Sequence, residues 1–308
     1  MRSILFHPDF KPLVLEDQNK LEPFLAAHPQ GLAGFTFAGL YAWAGVFGYE
    51  WLMPSPDLLL VSCRLPPHPE RHLVQPVGVM SEAAEHELVE AARRLPYPLR
   101  IQGVGEAFVT RYPWFAAAFS IEEDRARADY IYRAEDLALL QGGAYARKRN
   151  HLAQARASRR WTTQPITAAV LSTCVEIAEA VRQEIGNPGN ISFQNENAAL
   201  AAALESFAAL EQQGIIVYAD LTPAAFAIFE PQAPDLAVIH FERAIRAVKG
   251  AHQVVNQESA RALLAQGFKL INREDDLGLP GLRKAKLSYY PAHLTRSLVL
   301  TVKPPAPK

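Results

Sequence analysis

The order in which hydrophobic periodicity changes between residues 167 and 302 most constrains what this chain can fold into. Residues 167–185 and 195–213 repeat apolar positions at helical spacing, and the second run carries alanines along its apolar side, which suits close helix-to-sheet packing. Residues 214–220, 224–230 and 236–241 are short apolar runs parted by Thr222-Pro223 and by 231–234, where two prolines interrupt any ladder. They predict three successive strands. A basic loop leads to a helix expected at 257–266, a short buried strand at 268–271 and a last strand at 297–302. The fold class is therefore α+β, with helices flanking a mixed, mostly antiparallel sheet.

The first 120 residues repeat the mixture in a different order. A helix is expected at 15–25, then an aromatic-rich segment (Phe35, Phe37, Tyr41, Trp43, Phe47, Tyr49, Trp51) that reads as packing. Strands follow at 57–63 and 72–79, a helix at 82–94, and a strand at 99–104 running into a short helix. Arg100, Gly103 and Gly105 match the R-x-x-G-x-G pattern that cradles a pyrophosphate in acetyl-CoA enzymes. There the pattern opens a helix, whereas Arg100 falls inside a strand, so the match is read as chance. The acidic run 121–129 is the expected domain boundary, which divides the 308 residues into domains 1–128 and 129–308.

Composition excludes several classes. A net charge of -1 argues against a protein that coats nucleic acid, while leaving room for local basic patches. Cys63 and Cys174 lie far apart and have no C-x-x-C partner, so neither a cysteine zinc site nor a disulfide framework is expected, and a reducing cytoplasm fits best. No metal ion is called for. The longest apolar run, residues 37–49, falls short of the ~20 residues that cross a bilayer.

Charge concentrates in two places. Residues 146–161 carry Arg147, Lys148, Arg149, Arg156, Arg159 and Arg160 without an acid, and on a helix Arg149, Arg156 and Arg160 share one face. Such a face suits phosphates of nucleic acid, nucleotide or lipid. In residues 271–291, Glu274, Asp275 and Asp276 sit between Arg273 and the trio Arg283, Lys284 and Lys286. Adjacent carboxylates repel, so either these cations fold back on the acids or the group faces water.

The segments YARKRNHL (145–152), FQNENAAL (193–200), HFERA (240–244), KGAHQVVNQESA (249–260) and INREDDLGLPGLRKAKLSYYP (271–291), together with FHPDFKPL and RIQGVGEAFV in the first half, carry a resemblance that runs nearly end to end. They resemble the bacterial family similar to the C-terminal domain of phosphatidylglycerol lysyltransferase. That resemblance implies two tandem Gcn5-related N-acetyltransferase-like domains, the first structural, the second carrying the site, and kinship to the peptidoglycan aminoacyltransferases. It departs from the family at Arg243, where lysine is typical; arginine keeps the charge but does not readily lose a proton. The membrane-embedded half of true phosphatidylglycerol lysyltransferases is also missing from these residues.

The implied reaction is transfer of an aminoacyl or acyl group from an activated ester or thioester to an amine or hydroxyl. It calls for a base, oxyanion donors and a basic surface for the carrier. Glu242, Glu274 and Asp276 are the candidates for the base or for the clamp on a substrate ammonium. Glu196, His240, Asn256, Asn272, Arg273, Arg283, Lys284 and Lys286 are candidates for holding substrate. Lys148, Arg149, Arg246, Lys249 and Gly250 are the phosphate candidates. The glycine spacing near Gly250 does not reproduce the coenzyme A pattern, which favours aminoacyl-tRNA over acyl-CoA as donor, with a lipid headgroup or small amine as acceptor. The alternative is a non-catalytic module that binds tRNA, a nucleotide or an anionic lipid surface.

Overall fold

The computed structural model describes residues 9–65, 69–186 and 191–304, and the chain forms two compact units. The first comprises residues 1–129 together with 295–308. Its sheet runs Lys11–Pro12, Glu50–Ser55, Leu58–Arg64, Arg71–Val74, Arg100–Val104, Leu298–Val302 and Phe119–Glu123. Neighbours are antiparallel except for the parallel pair Arg71–Val74 and Arg100–Val104. Leu58, Leu60, Leu73, Ile101, Phe115 and Leu300 form its core. The aromatic segment packs as expected, with Phe37 and Trp51 buried and the Trp51 indole donating to Asp17 at 2.8 Å. Arg100 does lie in a strand, and the amide of Gly105 is taken by the Gln75 side chain at 2.8 Å.

Residues 130–294 form the second unit. In chain order its elements are β1 (Asp129–Arg133), α1 (Ala134–Leu139), α2 (Ala146–Ser158), β2 (Trp161–Pro165), α3 (Leu171–Ile185) and α4 (Ile191–Glu205). Then come β3 (Gln213–Ala219), β4 (Thr222–Ala233), β5 (Leu236–Ala244), α5 (Ala251–Ala265), β6 (Leu270–Asn272), α6 (Pro280–Leu287) and β7 (His293–Thr295). The sheet order is β7-β1-β6-β5-β4-β3-β2, and β5 and β6 are its parallel pair. Val217, Ala227, Phe229 and Ile239 meet Val254, Val255 and Leu263 of α5 in one core. The alternate residues Ile216, Phe226, Ile228 and Val238 are buried as well, so both faces of the central strands are covered. This explains why β4 reads as an almost unbroken apolar run.

Several boundaries differ from expectation. Leu298–Val302, assigned above to the second domain, pairs on both sides with strands of the first unit. Strand β5 extends to Ala244, so Glu242 lies within a strand opposite Ala227 rather than at its end. Helix α5 begins at Ala251, six residues ahead of the expected start, because Val254 and Val255 are core residues within what reads as a basic loop. Helix α2 stops at Ser158, and Arg160 does not share its face. Helix α6 was not foreseen.

Gly250 caps α5 with φ +93°, and a Cβ there would collide with that of Ala155 on α2 and lie 3.6 Å from the Trp161 ring. Gly142 has φ +83° but open space around it. Gly250→Ala is expected to cost about 2–4 kcal/mol in urea unfolding, strain and overpacking adding, whereas Gly142→Ala costs only about 1–2 kcal/mol.

Candidate active site

Strands β5 and β6 pair only through Leu236–Leu270, Ala237–Ile271 and Val238–Asn272. Beyond Asn272 the two chains part. On the other side of β5 the register slips: Phe229 faces Ile239 while Ile228 faces Phe241, so His240 is the extra residue of a β-bulge. A bulge re-aims its side chain, and bulges recur beside active sites. His240 turns to the split and joins two carboxylates, with Nδ1 at 2.7 Å from Glu274 and Nε2 at 2.6 Å from Glu230. A second bridge crosses the same gap, Arg273 Nη2 to Glu242 at 3.0 Å. Two charged bridges thus replace the missing ladder.

Burial alone would discharge the imidazole, but the paired carboxylates outweigh it and push the His240 pKa up to about 10. His240 is therefore an imidazolium at neutral pH, with both nitrogens occupied. It holds Glu274 rather than a substrate. Arg273, 13% exposed, packs against the rings of Tyr132 and Tyr289, at 5.9 and 5.8 Å, and its guanidinium donates to Asn256 at 2.9 Å with the amide oxygen turned toward it. Asn256 and Glu242 together fix that cation in place.

The loop after β6 is pinned from below. Glu274 has φ +56°, an uncommon conformation for a non-glycine residue, and its amide donates to the Asn272 side chain at 2.8 Å. The buried ammonium of Lys286 donates to the carbonyls of Arg273, Glu274 and Asp275. Asp276 is fully buried and receives the Tyr130 hydroxyl, the Gly278 amide and two nitrogens of Arg283, at 2.8 and 3.0 Å. Burial would raise its pKa, but the Arg283 guanidinium, the Tyr130 hydroxyl and the Gly278 amide hold it well below the usual carboxylate range. A carboxylate so held is a poor base. Asp276, Lys286 and Asn272, expected above to take part in chemistry or binding, instead support the loop, and Asn272 spends its amide nitrogen on Gln232 at 3.1 Å.

The phosphate candidates scatter. Arg149 donates to the carbonyls of Leu140 and Gly142 at 2.5 and 2.6 Å, closing the end of α1. Arg156 pairs with Glu258 and Arg159 with Asp220, so much of the basic run meets acids of its own unit. The backbone amides of Arg246 and Ala247 donate to the Glu184 carboxylate at 2.7 and 2.9 Å, and Gly250 is packed on Ala155. Lys249 is exposed ahead of α5. Lys148 donates to Ser288 at 2.6 Å over the Tyr289 ring, while Lys284 lies on α6. Glu196 binds Arg243 Nη1 at 2.8 Å, and the buried Nε and Nη2 of that arginine have no partner among the described residues.

Sequence reasoning missed Glu230, Tyr130 and Tyr289. The signal for Glu230 was an acid closing the apolar run of β4; for Tyr130 and Tyr132 it was the period-2 repeat that puts both rings on one face, where the Tyr132 hydroxyl donates to the Lys286 carbonyl at 2.9 Å. Chemically, the split presents a fixed cation, Arg273, paired with Glu242, and a second carboxylate, Glu274, held by His240 and the more accessible of the two at 28% exposure.

Comparison with known proteins gives a consistent placement. The family model described as phosphatidylglycerol lysyltransferase, C-terminal, matches residues 27–300. A conserved protein of unknown function from Bacteroides thetaiotaomicron is 29% identical, with TM-score 0.87 over 96% of this chain and 99% of that one. The structure of L-PGS from Bacillus licheniformis is 14% identical, with TM-score 0.66 over 96% of this chain and 93% of that one. FemX is 11% identical, with TM-score 0.60 over 93% and 96%. The last two share the fold. A search of curated proteins finds no match. Among the described residues no helix is long and apolar enough to cross a membrane.

The His240 clamp has a pH signature. Its folded pKa, about 10, lies above the unfolded value near 6.5, so the clamp stabilises fully below about pH 6.5 and is lost as pH rises through 10. Unfolding free energy is expected to fall between pH 7 and 10 in urea titrations, and His240→Gln should flatten that decline. An unchanged slope in the variant contradicts the clamp.

Proposed function

The chain belongs to the phosphatidylglycerol lysyltransferase C-terminal family, and from that premise we propose that it moves an aminoacyl group from an aminoacyl-tRNA to a hydroxyl or amine, with a lipid headgroup as acceptor. The observation that carries this reading is the pair of charged bridges across the β5–β6 split, which set Arg273 beside Glu242 and Glu274 in one place. Aminoacyl esters present an ammonium, a carbonyl oxygen and a leaving ribose oxygen. Glu274, held in place by His240, answers the ammonium. Arg273 supplies preorganised positive charge for the carbonyl oxygen as it becomes an oxyanion.

Glu242 serves as the base. One of its oxygens is held by Arg273, and the other has no hydrogen-bond partner among the described residues. The acceptor's oxygen or nitrogen attacks the ester carbonyl and gives its proton to Glu242. The intermediate then collapses, the bond to the ribose oxygen breaks, and Glu242 returns the proton to that leaving oxygen. Water must be kept from the ester during these steps, and the buried rings of Tyr132 and Tyr289 wall the Arg273 side.

The segment leading into α5 supports the choice of donor. Coenzyme A would need free backbone amides and open space there for its pyrophosphate. The Glu184 carboxylate already occupies the amides of Arg246 and Ala247, and α2 fills the space at Gly250. Both observations favour aminoacyl-tRNA over acyl-CoA.

Single-turnover transfer of a labelled amino acid tests the assignment. Glu242→Gln is expected to lower the rate constant by about 10²–10⁴ with tRNA retention unchanged. Glu274→Gln should weaken recognition of the aminoacyl group while a deaminated analogue binds the variant and the parent alike. If aminoacyl-tRNAs give no turnover, and a ligand that co-purifies binds regardless of both carboxylates, the protein is a binding module instead.

A further inference from the structure

Beside α6 lies an open hollow of about 530 Å³ lined by Pro280, Arg283, Lys284, Leu287, Ser288 and Tyr290. Its charges do not cancel. Arg283 is spent on Asp276, but Lys284 has no carboxylate within ion-pair distance among the described residues, and Lys148 reaches the rim by donating to Ser288 at 2.6 Å. Two ammonium groups are thus available to an anion. The hollow also offers a planar apolar surface. Tyr290 is 53% exposed and has φ +54°, a conformation that is an outlier for so bulky a residue and turns its ring outward, where Tyr145 braces it edge-on at 5.4 Å.

Lys148 and Arg273 share one neighbour, the buried ring of Tyr289. The Lys148 ammonium stands 3.8 Å from the centre of the Tyr289 ring, and the Arg273 guanidinium lies 5.8 Å from the same ring. A chain bound at Lys284 and Lys148 therefore lies one aromatic ring away from Arg273. Paired cations beside one exposed ring match a phosphodiester followed by a base, since single-stranded nucleic acid is held by phosphate contacts and stacking on aromatic side chains. A lipid surface would call for a broader apolar face than Leu287 and Tyr290 provide.

We infer that this hollow receives the single-stranded end of an RNA, its phosphates on Lys284 and Lys148 and its terminal base on Tyr290. The identity of that RNA as the aminoacyl donor rests on the transfer reading above; the place of binding does not.

Fluorescence anisotropy with a labelled single-stranded RNA of about eight nucleotides tests it. Tyr290→Ala is expected to raise Kd roughly tenfold, as loss of one stacked base predicts, while Tyr290→Phe keeps the affinity of the parent. Lys284→Ala should weaken binding and reduce the salt slope by about 0.7. Lys269→Ala, an exposed lysine paired with Asp235, serves as the control and should change nothing. Unchanged Kd in both the Tyr290→Ala and Lys284→Ala variants overturns the inference. So does loss of binding to phosphatidylglycerol vesicles in those variants with RNA affinity intact. RNA binding that depends on these residues without any aminoacyl transfer would uphold the hollow and sink the transfer reading; transfer that ignores both residues would do the reverse.

Discussion

A single ammonium group holds together the part of the molecule where chemistry is expected. When β6 ends at Asn272, the chain parts from β5 and keeps only Tyr130 of β1 as a backbone partner: its amide donates to the Glu274 carbonyl at 3.1 Å, while the carbonyls of Arg273 and Asp275 lose theirs. Buried carbonyls left unpaired are costly. Lys286 answers both and donates to the Glu274 carbonyl as well, from a helix that is also anchored by the Arg283–Asp276 pair. Because the ammonium binds backbone oxygens and not the carboxylates, the side chains of Arg273 and Glu274 stay free to reach across to β5. The left-handed turn at Glu274 is tolerated on the same ground: strain of this kind persists where surrounding contacts over-determine it.

The second organising theme is separation of charge. Three consecutive acids on a solvated turn would repel one another and be neutralised by whatever cation drifted near. Here each acts in its own direction. Asp276 is buried on Arg283, Glu274 is held by an imidazolium, and Asp275 accepts the amide of Leu277 at 3.1 Å. The cation nearest in sequence, Arg273, ignores all three and pairs with Glu242, 31 residues away. Buried ion pairs add little net stability once desolvation is counted, but they fix geometry, and fixed geometry is what a charge-stabilising site requires.

The central strands and helices α3 and α4 of the second unit were legible because each buries enough apolar residues to impose a period. The split was legible as a neighbourhood only through the family resemblance, whose implied fold sets the strands ending near Glu242 and Glu274 side by side. What could not be read was the division of labour within it. Whether Asp276 or Glu274 reaches the surface depends on Tyr130 and Arg283 closing over the former, and Tyr130 lies 146 residues upstream. The basic run of α2 looked uncompensated for the same reason, because Glu258 and Asp220 arrive from far along the chain. Helix α6 hid behind Gly278, Pro280 and Gly281, which read as a loop. Proline at the first helical position lacks only an N–H that would be unpaired anyway, so Pro280 starts a helix instead of preventing one.

The strand Leu298–Val302 is threaded between Arg100–Val104 and Phe119–Glu123, which the sheet order otherwise leaves unjoined. During synthesis on the ribosome, residues 130–294 emerge with every strand of their own sheet core in hand, while the earlier unit waits with two exposed edges. The segment made later therefore completes its hydrogen bonding first, and the nascent first unit must be guarded from edge-to-edge aggregation until residue 302 has left the exit tunnel.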